Sequence, residues 1–182
     1  MLSYQFGSTT EWLVPESIVF SANFKAPGAV DEAGKSVFPA TPDANCLFER
    51  IDIRLSGQLI ESVTESARCN ELLTRLTMSP QKKVNLAQMG FGTQIATVEP
   101  DWSAAQQHEA GVVPAGTTKR ILWKCNLSGL LTQHLWIPLY ATTGLTVNFF
   151  LAPGVESCIQ SDNGVNYAQD YELTDAKAFC TM

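Results

Sequence analysis

Between Asn45 and Met78 the spacing of apolar residues changes period once. Leu47, Ile51, Ile53 and Leu55 share one parity, and Arg50, Asp52 and Arg54 share the other. Alternation of period two marks a strand with one buried face. Ser56-Gly57 supplies a tight turn, and Gln58 to Val63 returns as the partner strand. Cys69, Leu72, Leu73 and Leu76 then recur at i, i+3, i+4 and i+7, one face of a helix. Ser62 with Glu65 three residues on is a capping-box pattern, and Ser79-Pro80 is a stop signal. The pattern predicts one short helix over about residues 62–78, with Leu72 and Leu73 packed against the body of the fold.

Other segments alternate as strands. Ile18, Phe20, Ala22 and Phe24 form one apolar row, closed by Ala26-Pro27-Gly28. Ile121, Trp123, Cys125 and Leu127 form another, and Leu145, Val147, Phe149 and Leu151 a third, closed by Ala152-Pro153-Gly154. Near the end Tyr171 and Leu173 have odd parity while Ala176, Ala178 and Cys180 have even parity. A bulge near Thr174-Asp175 absorbs that slip. Gly28 to Thr41 is rich in Pro, Gly and Ala, with one short strand around Ser36 to Phe38. Pro80 to Thr118 is broken repeatedly by Gly and Pro and reads as a long loop, partly packed through Phe91, Ile95, Val98 and Trp102. Many short strands, Gly/Pro turns and long connections predict an all-β, two-sheet sandwich with one inserted helix.

Length and charge narrow the function. A chain of 182 residues fits one domain over 1–182, large enough to bury a core without staples. Charged residues are 16% of the chain, against roughly 25% in a typical domain. Sparse charge leaves neutral surface for neighbouring subunits. The net charge of −6 argues against direct nucleic-acid binding, which needs clustered Lys and Arg. Lys82-Lys83 and Lys119-Arg120 are the paired cations, and neither is interleaved with aromatics. The N-terminal residues lack the basic and apolar regions of a signal peptide, and the apolar run Leu135 to Ala141 is too short to span a bilayer. The expectation is no membrane insertion.

Candidate chemistry is thin. Cys46, Cys69, Cys125, Cys158 and Cys180 have no metal-site spacing; Cys69 and Cys125 fall on expected buried faces. His108 lies in the long loop. His134 would have to serve as base of any triad, with no nucleophile elbow to accompany it and only Cys125 or Cys158 as nucleophile. Asp170, Glu172 and Asp175 are close in sequence, but parity places Asp170 and Glu172 on a solvated strand face rather than in a calcium site. Trp123 is in phase with the core, and Trp12 and Trp136 flank prolines at element ends, where packing under a loop is expected. These patterns assign no catalytic, cofactor-binding or metal-binding residue. The chain reads as a non-enzyme without cofactor.

Three blocks carry a resemblance. The first is Glu11-Trp12-Leu13-Val14-Pro15-Glu16-Ser17 leading into a strand. The second is Asn45-Cys46-Leu47-Phe48 through Ile60, followed by the helix. The third is Leu130-Leu131 through Leu139, then Leu145 to Leu151, with Tyr171 to Cys180 closing. Together they resemble viral jelly-roll capsid proteins, specifically the N-terminal jelly roll of double-jelly-roll major capsid proteins of eukaryotic DNA viruses, of the polinton-like and nucleocytoplasmic large-virus kind. Ser56-Gly57 stands where that family usually has Asn-Gly, and a double jelly roll needs about twice this length. The resemblance implies a jelly-roll sandwich, a structural virion protein, and an icosahedral shell built from trimers or pseudo-hexameric capsomers. It also implies self-association and contacts with other capsid proteins, and assembly in host cytoplasm or nucleus. The length of Pro80–Thr118, its repeated Gly/Pro breaks and its embedded Phe91 and Trp102 lead to the expectation that this loop projects from the end of the jelly roll and makes intersubunit or shell-exterior contacts. Two rivals stand beside it. One is an intracellular or phage-borne β-sandwich glycan-binding module using exposed Trp. The other is a cupin-like enzyme, which needs a His/carboxylate metal cluster that two distant histidines do not supply.

Overall fold

A computed structural model of the protein describes residues 1–25, 36–39, 43–77, 79, 113–114, 117–153, 159–161 and 171–182. In chain order the strands begin with β1 (Leu2–Phe6) and β2 (Trp12–Leu13). A short 3-10 helix at Pro15–Ser17 leads into β3 (Val19–Lys25), then β4 (Ser36–Pro39). A second 3-10 helix, Ala44–Leu47, precedes β5 (Phe48–Leu55), β6 (Gln58–Thr64) and the helix α1 (Ser66–Leu76). The chain continues with β7 (Val113–Pro114), β8 (Thr118–Trp123) and β9 (Ile137–Pro138). A third 3-10 helix, Leu139–Ala141, is followed by β10 (Leu145–Leu151), β11 (Ile159–Ser161) and β12 (Glu172–Phe179).

The pairing is nested. β5 and β6 form the innermost hairpin, with Ser56 and Gly57 both at positive φ (52° and 78°), the requirement of a type I′ turn. Outside it β3 pairs with β8 and β4 with β7; outside those β1 pairs with β10. β12 and β11 then add to β3 and β4. One sheet therefore runs β1–β10–β5–β6. The other layer has the order β12–β3–β8, repeated by β11–β4–β7, each strand being the chain neighbour of its counterpart. Every pairing among the described residues is antiparallel, and α1 is the one α-helix there, so the fold is all-β.

The core lies between the sheets and is aromatic at its centre. Tyr4, Phe48 and Phe149 from the first sheet meet Phe20 and Trp123 from the second. The Phe20 and Phe149 rings sit 4.8 Å apart at 74°, and Phe20 stacks on Trp123 at 6.0 Å. Edge-to-face and offset contacts of this kind add roughly 0.5–1.5 kcal/mol each beyond burial. The Tyr4 hydroxyl crosses the layer to donate to the Ser21 carbonyl at 3.4 Å. Its burial pushes the phenol pKa well above the usual tyrosine value.

Most of the periodic rows fall where their parity places them. Phe20, Ala22, Phe24, Ile51, Ile53, Ile121, Trp123, Leu145, Val147 and Phe149 are all buried. The register of β12 against β3 shifts between Thr174 and Lys177, with Asp175 at φ 49°, so the parity slip is a bulge. β1 and β2 are strands that the alternation reading did not mark, although Leu2, Tyr4 and Phe6 do alternate with Ser3 and Gln5. Of the loop expected over Pro80 to Thr118, Val113–Pro114 is strand and Thr118 opens β8. Residues 80–112 lie outside the described residues.

The helix differs in two respects. It begins at Ser66 rather than near residue 62, because β6 runs on to Thr64. Ser62 donates to Asp52 Oδ1 at 2.7 Å, and Glu65 takes the N-cap in the left-handed region with no side-chain cap bond. No capping box forms. The helix is also turned over: Ser66 and Asn70 are buried, while Cys69, Leu72, Leu73 and Leu76 are exposed, Leu72 at 62% and Leu76 at 76%. Cys69, Leu72 and Leu73 therefore do not pack against the sandwich. Hydrogen bonding is the cause. The Ser66 hydroxyl donates to the Phe48 carbonyl at 2.6 Å, and Asn70 Nδ2 donates to Asp43 Oδ2 at 3.0 Å.

Candidate functional site

The chain leaving β1, the β5–β6 turn and the chain entering β10 lie at one end of the first sheet, since Phe6, Leu145, Leu55 and Gln58 are aligned across it. The long connections there carry β2, β9 and two of the 3-10 helices. Gly144 adopts φ 113° where a Cβ would sit 3.0 Å from the Phe6 carbonyl oxygen, so only glycine lets the chain close against β1. The Ser56 amide donates to the Gly144 carbonyl at 3.0 Å.

A turn over residues 126–132 is fastened to the middle of β6 by one carboxylate. Glu61 Oε2 accepts from the Ser128 hydroxyl at 2.6 Å and from the Leu130 amide at 3.3 Å, and Oε1 accepts from the Gly129 amide at 2.9 Å. Two successive amides and a hydroxyl converging on one carboxylate form an anion nest, here filled by the protein's own side chain. Within the turn the Thr132 hydroxyl donates to the Ser128 carbonyl at 2.6 Å. Leu131 is thereby pressed inward and is buried.

Between this turn and the 3-10 helix Pro15–Ser17 lies a cavity of about 230 Å3. Pro15, Ile18, Phe20 and Leu131 give it an apolar floor; Glu16, Lys124, Asn126 and Thr132 supply polar groups. Lys124 Nζ donates to the Glu16 carbonyl at 3.0 Å, and Glu16 Oε2 lies 2.7 Å from His134 Nδ1. Cys125 also lines the cavity. Burial pushes its thiol up to about 12, against the smaller opposing effect of hydrogen bonds from the Ser128 and Leu127 backbone. A nucleophilic cysteine needs its pKa lowered, so this thiol is held as an inert SH group.

His134 is exposed and paired with Glu16 rather than with a cysteine. Glu172 and Asp175 are exposed as expected, but as ion pairs: Glu172 with Lys25 at 3.1 Å, Asp175 with Arg120 at 3.1 Å and Lys177 at 2.8 Å. The Lys177 hydrogen bond, then that of Arg120, holds the Asp175 carboxyl below its ordinary range. Trp123 is core. Trp12 and Trp136 are not packed under a loop: they are 44% and 61% exposed, Trp12 in the two-residue strand β2 and Trp136 just before β9. The Trp12 ring meets Tyr140 edge-on at 5.5 Å. His108, Cys158, Asp170 and Trp102 lie outside the described residues. Among the described residues no group of three His, Cys, Asp or Glu side chains is arranged to hold a metal ion, and no helix is long and apolar enough to cross a membrane.

Sequence reasoning missed Glu61 and Asp43, the two carboxylates that lock the turn and the helix. Their signal was only parity: Glu61 is a carboxylate inside a short strand, and Asp43 precedes a residue run that supplies its own donors. No known protein family matches this chain, and no curated protein matches it in sequence.

Proposed function

We propose that the protein is a structural virion protein whose jelly-roll sandwich self-associates into trimers or pseudo-hexameric capsomers of a capsid shell. The nested strand order is in keeping with a jelly roll, in which a long antiparallel ribbon is wrapped into two facing sheets. A fold alone does not specify a function. The observation that carries the reading is the outward face of α1. Cys69, Leu72, Leu73 and Leu76 form a continuous apolar stripe in water, on a helix whose polar side is fixed inward by Ser66 and Asn70. Rolling the helix to hide the stripe would break the Ser66 bond to the Phe48 carbonyl and the Asn70 bond to Asp43, leaving buried polar groups unpaired. Exposed apolar surface of this kind marks a contact that another subunit covers. The low charge of the chain, 16%, is in the same direction.

Sedimentation velocity at micromolar concentration, followed by electron microscopy, tests the reading. Trimers or larger closed assemblies are expected for the wild-type chain, and monomers for Leu72→Glu/Leu76→Glu. A wild-type monomer at those concentrations would reject the reading. Trimers that survive the double substitution would remove its central support.

A further inference from the structure

The cavity beside the 126–132 turn is lined by none of the α1 leucines, so assembly through the leucine stripe does not explain it. Its two charged groups are already engaged, Lys124 with the Glu16 carbonyl and Glu16 with His134. A charged ligand would disturb that balance, since an uncompensated charge out of water is costly. A purely apolar ligand would strip water from Asn126 and Thr132 without replacing it. What suits both walls is a neutral ring with hydroxyl groups on its edge and C–H groups on its face. Ile18, Phe20 and Leu131 would meet the face, and Glu16, Asn126 and Thr132 the hydroxyls. The volume, about 230 Å3, is that of one substituted six-membered ring; a cavity of roughly 150 Å3 accommodates benzene. The chain segments that flank the cavity-lining residues in sequence carry exposed Trp12, Trp136 and Tyr140, flat rings with an apolar body and a polar tip.

We propose that this cavity binds one neutral hexose unit of a glycan, with the exposed aromatic rings of the flanking segments available to stack on adjoining units. Specificity lies in the polar rim: carboxylate, amide and Thr132 hydroxyl oxygens accept from sugar hydroxyls, the Thr132 proton being held by the Ser128 carbonyl, and the Asn126 amide donates to them. Cys125, kept as an un-ionised thiol beneath the site, adds no charge that would favour a cationic ligand. The inference does not depend on the shell reading, since a monomer would carry the same cavity.

Saturation-transfer NMR on the intact chain tests it, with glucose, galactose, mannose and N-acetylglucosamine as probes, gluconate and glucosamine as charged counterparts, and phenol as the apolar ring. At least one neutral hexose is expected to bind with a Kd of about 1–10 mM, its disaccharides several-fold tighter, and the charged probes at least tenfold weaker. Asn126→Trp and Thr132→Trp fill the cavity and should abolish hexose binding; Trp136→Ala should erase only the disaccharide gain. Chemical-shift mapping on the unmodified chain keeps the test independent of how those variants fold, with shifts expected around Glu16, Asn126 and Thr132. Failure of every neutral sugar at about 10 mM, binding of phenol alone, charged probes that match the neutral ones, or shifts centred elsewhere would each overturn the proposal. Sugar binding with a monomeric chain would leave this inference standing while the shell reading falls.

Discussion

The helix α1 and the 126–132 turn are each fastened by a carboxylate, yet they treat their leucines in opposite ways. At the helix Asp43 Oδ1 accepts from the Asn45 amide at 3.2 Å, and Oδ2 accepts from the side-chain amides of Asn45 and Asn70 at 2.9 and 3.0 Å. Asn45 also donates to the Lys124 carbonyl at 3.0 Å, tying the network to the end of β8. At the turn Glu61 gathers Ser128, Gly129 and Leu130. The Glu61 staple points a turn inward and buries Leu131; the Asp43 staple holds α1 by its polar side and leaves Leu72 and Leu76 in solvent. The difference lies in which groups the carboxylate finds. Glu61 bonds two backbone amides and one hydroxyl, so the turn's apolar side chains are free to follow the core. Asp43 bonds a side chain on the helix itself, so satisfying that bond fixes which helix face turns inward. An unmet buried polar group costs as much as several exposed leucine methylenes gain.

Removing the Asp43 carboxylate should have the largest effect. Asp43→Ala leaves the Asn45 amide and two side-chain amides without their acceptor in a buried site, a loss of about 3–5 kcal/mol in urea unfolding. A loss below ~1 kcal/mol would mean that the network does not hold the helix.

Raising the pH acts next. Burial raises the Cys125 thiol to about 12 and shifts the Tyr4 phenol in the same direction. A thiol in the unfolded chain ionises near pH ~8.5, so above that point the unfolded state binds fewer protons than the native one. This contribution is intact below the unfolded value and falls as the pH climbs towards the folded one. By pH ~10.5 the loss from Cys125 should be roughly 2–3 kcal/mol. Melting curves from pH 8 to ~10.5 on wild type and Cys125→Ala give the check, since the variant should lose the thiol's share of the slope. Equal slopes in both would remove Cys125 as the cause.

Glu61→Ala should cost less, about 1–2 kcal/mol, because water can reach part of the released turn. Hydrogen exchange at the Gly129 and Leu130 amides should accelerate by more than global stability accounts for, while the α1 amides keep pace with the whole. Leu72→Ala should have the smallest effect on a monomer's stability, within ~0.5 kcal/mol of wild type, as an exposed position. A penalty near the ~2–5 kcal/mol of a core truncation would show that the stripe is buried after all.

Much of the sandwich was legible along the chain because its strands carry strong, unambiguous alternation. The β5–β6 hairpin was set by Ser56-Gly57 between two runs, since two residues at positive φ select one turn type and one register. The β12 bulge could be read from a parity slip, because in a strand a one-residue offset changes the face of every later side chain. Trp123 and Phe149 were core by the same rule. β1 was passed over because five residues at a chain end give a short signal. Of the candidate site, the exposed His134 could be seen, but not its pairing with Glu16, which lies 118 residues away.

The amino-acid sequence by itself determined the strand rows, the tight hairpin and the existence of an amphipathic helix, since all three follow from local periodicity and turn stereochemistry. The tertiary structure decided which side of that helix faces the core. Its leucine spacing predicts one answer, and the meeting of Asn70 with Asp43, 27 residues apart, imposes the other. It also decided that the Pro15–Ser17 helix and the 126–132 turn would close around a cavity. Neither segment has a periodicity that points to the other, and only the pairing of β3 with β8 brings them together. Local pattern fixes elements because its causes lie within a few residues. Long-range polar contacts are chosen by the assembled fold, where leaving a donor or acceptor unpaired costs more than leaving a leucine in water.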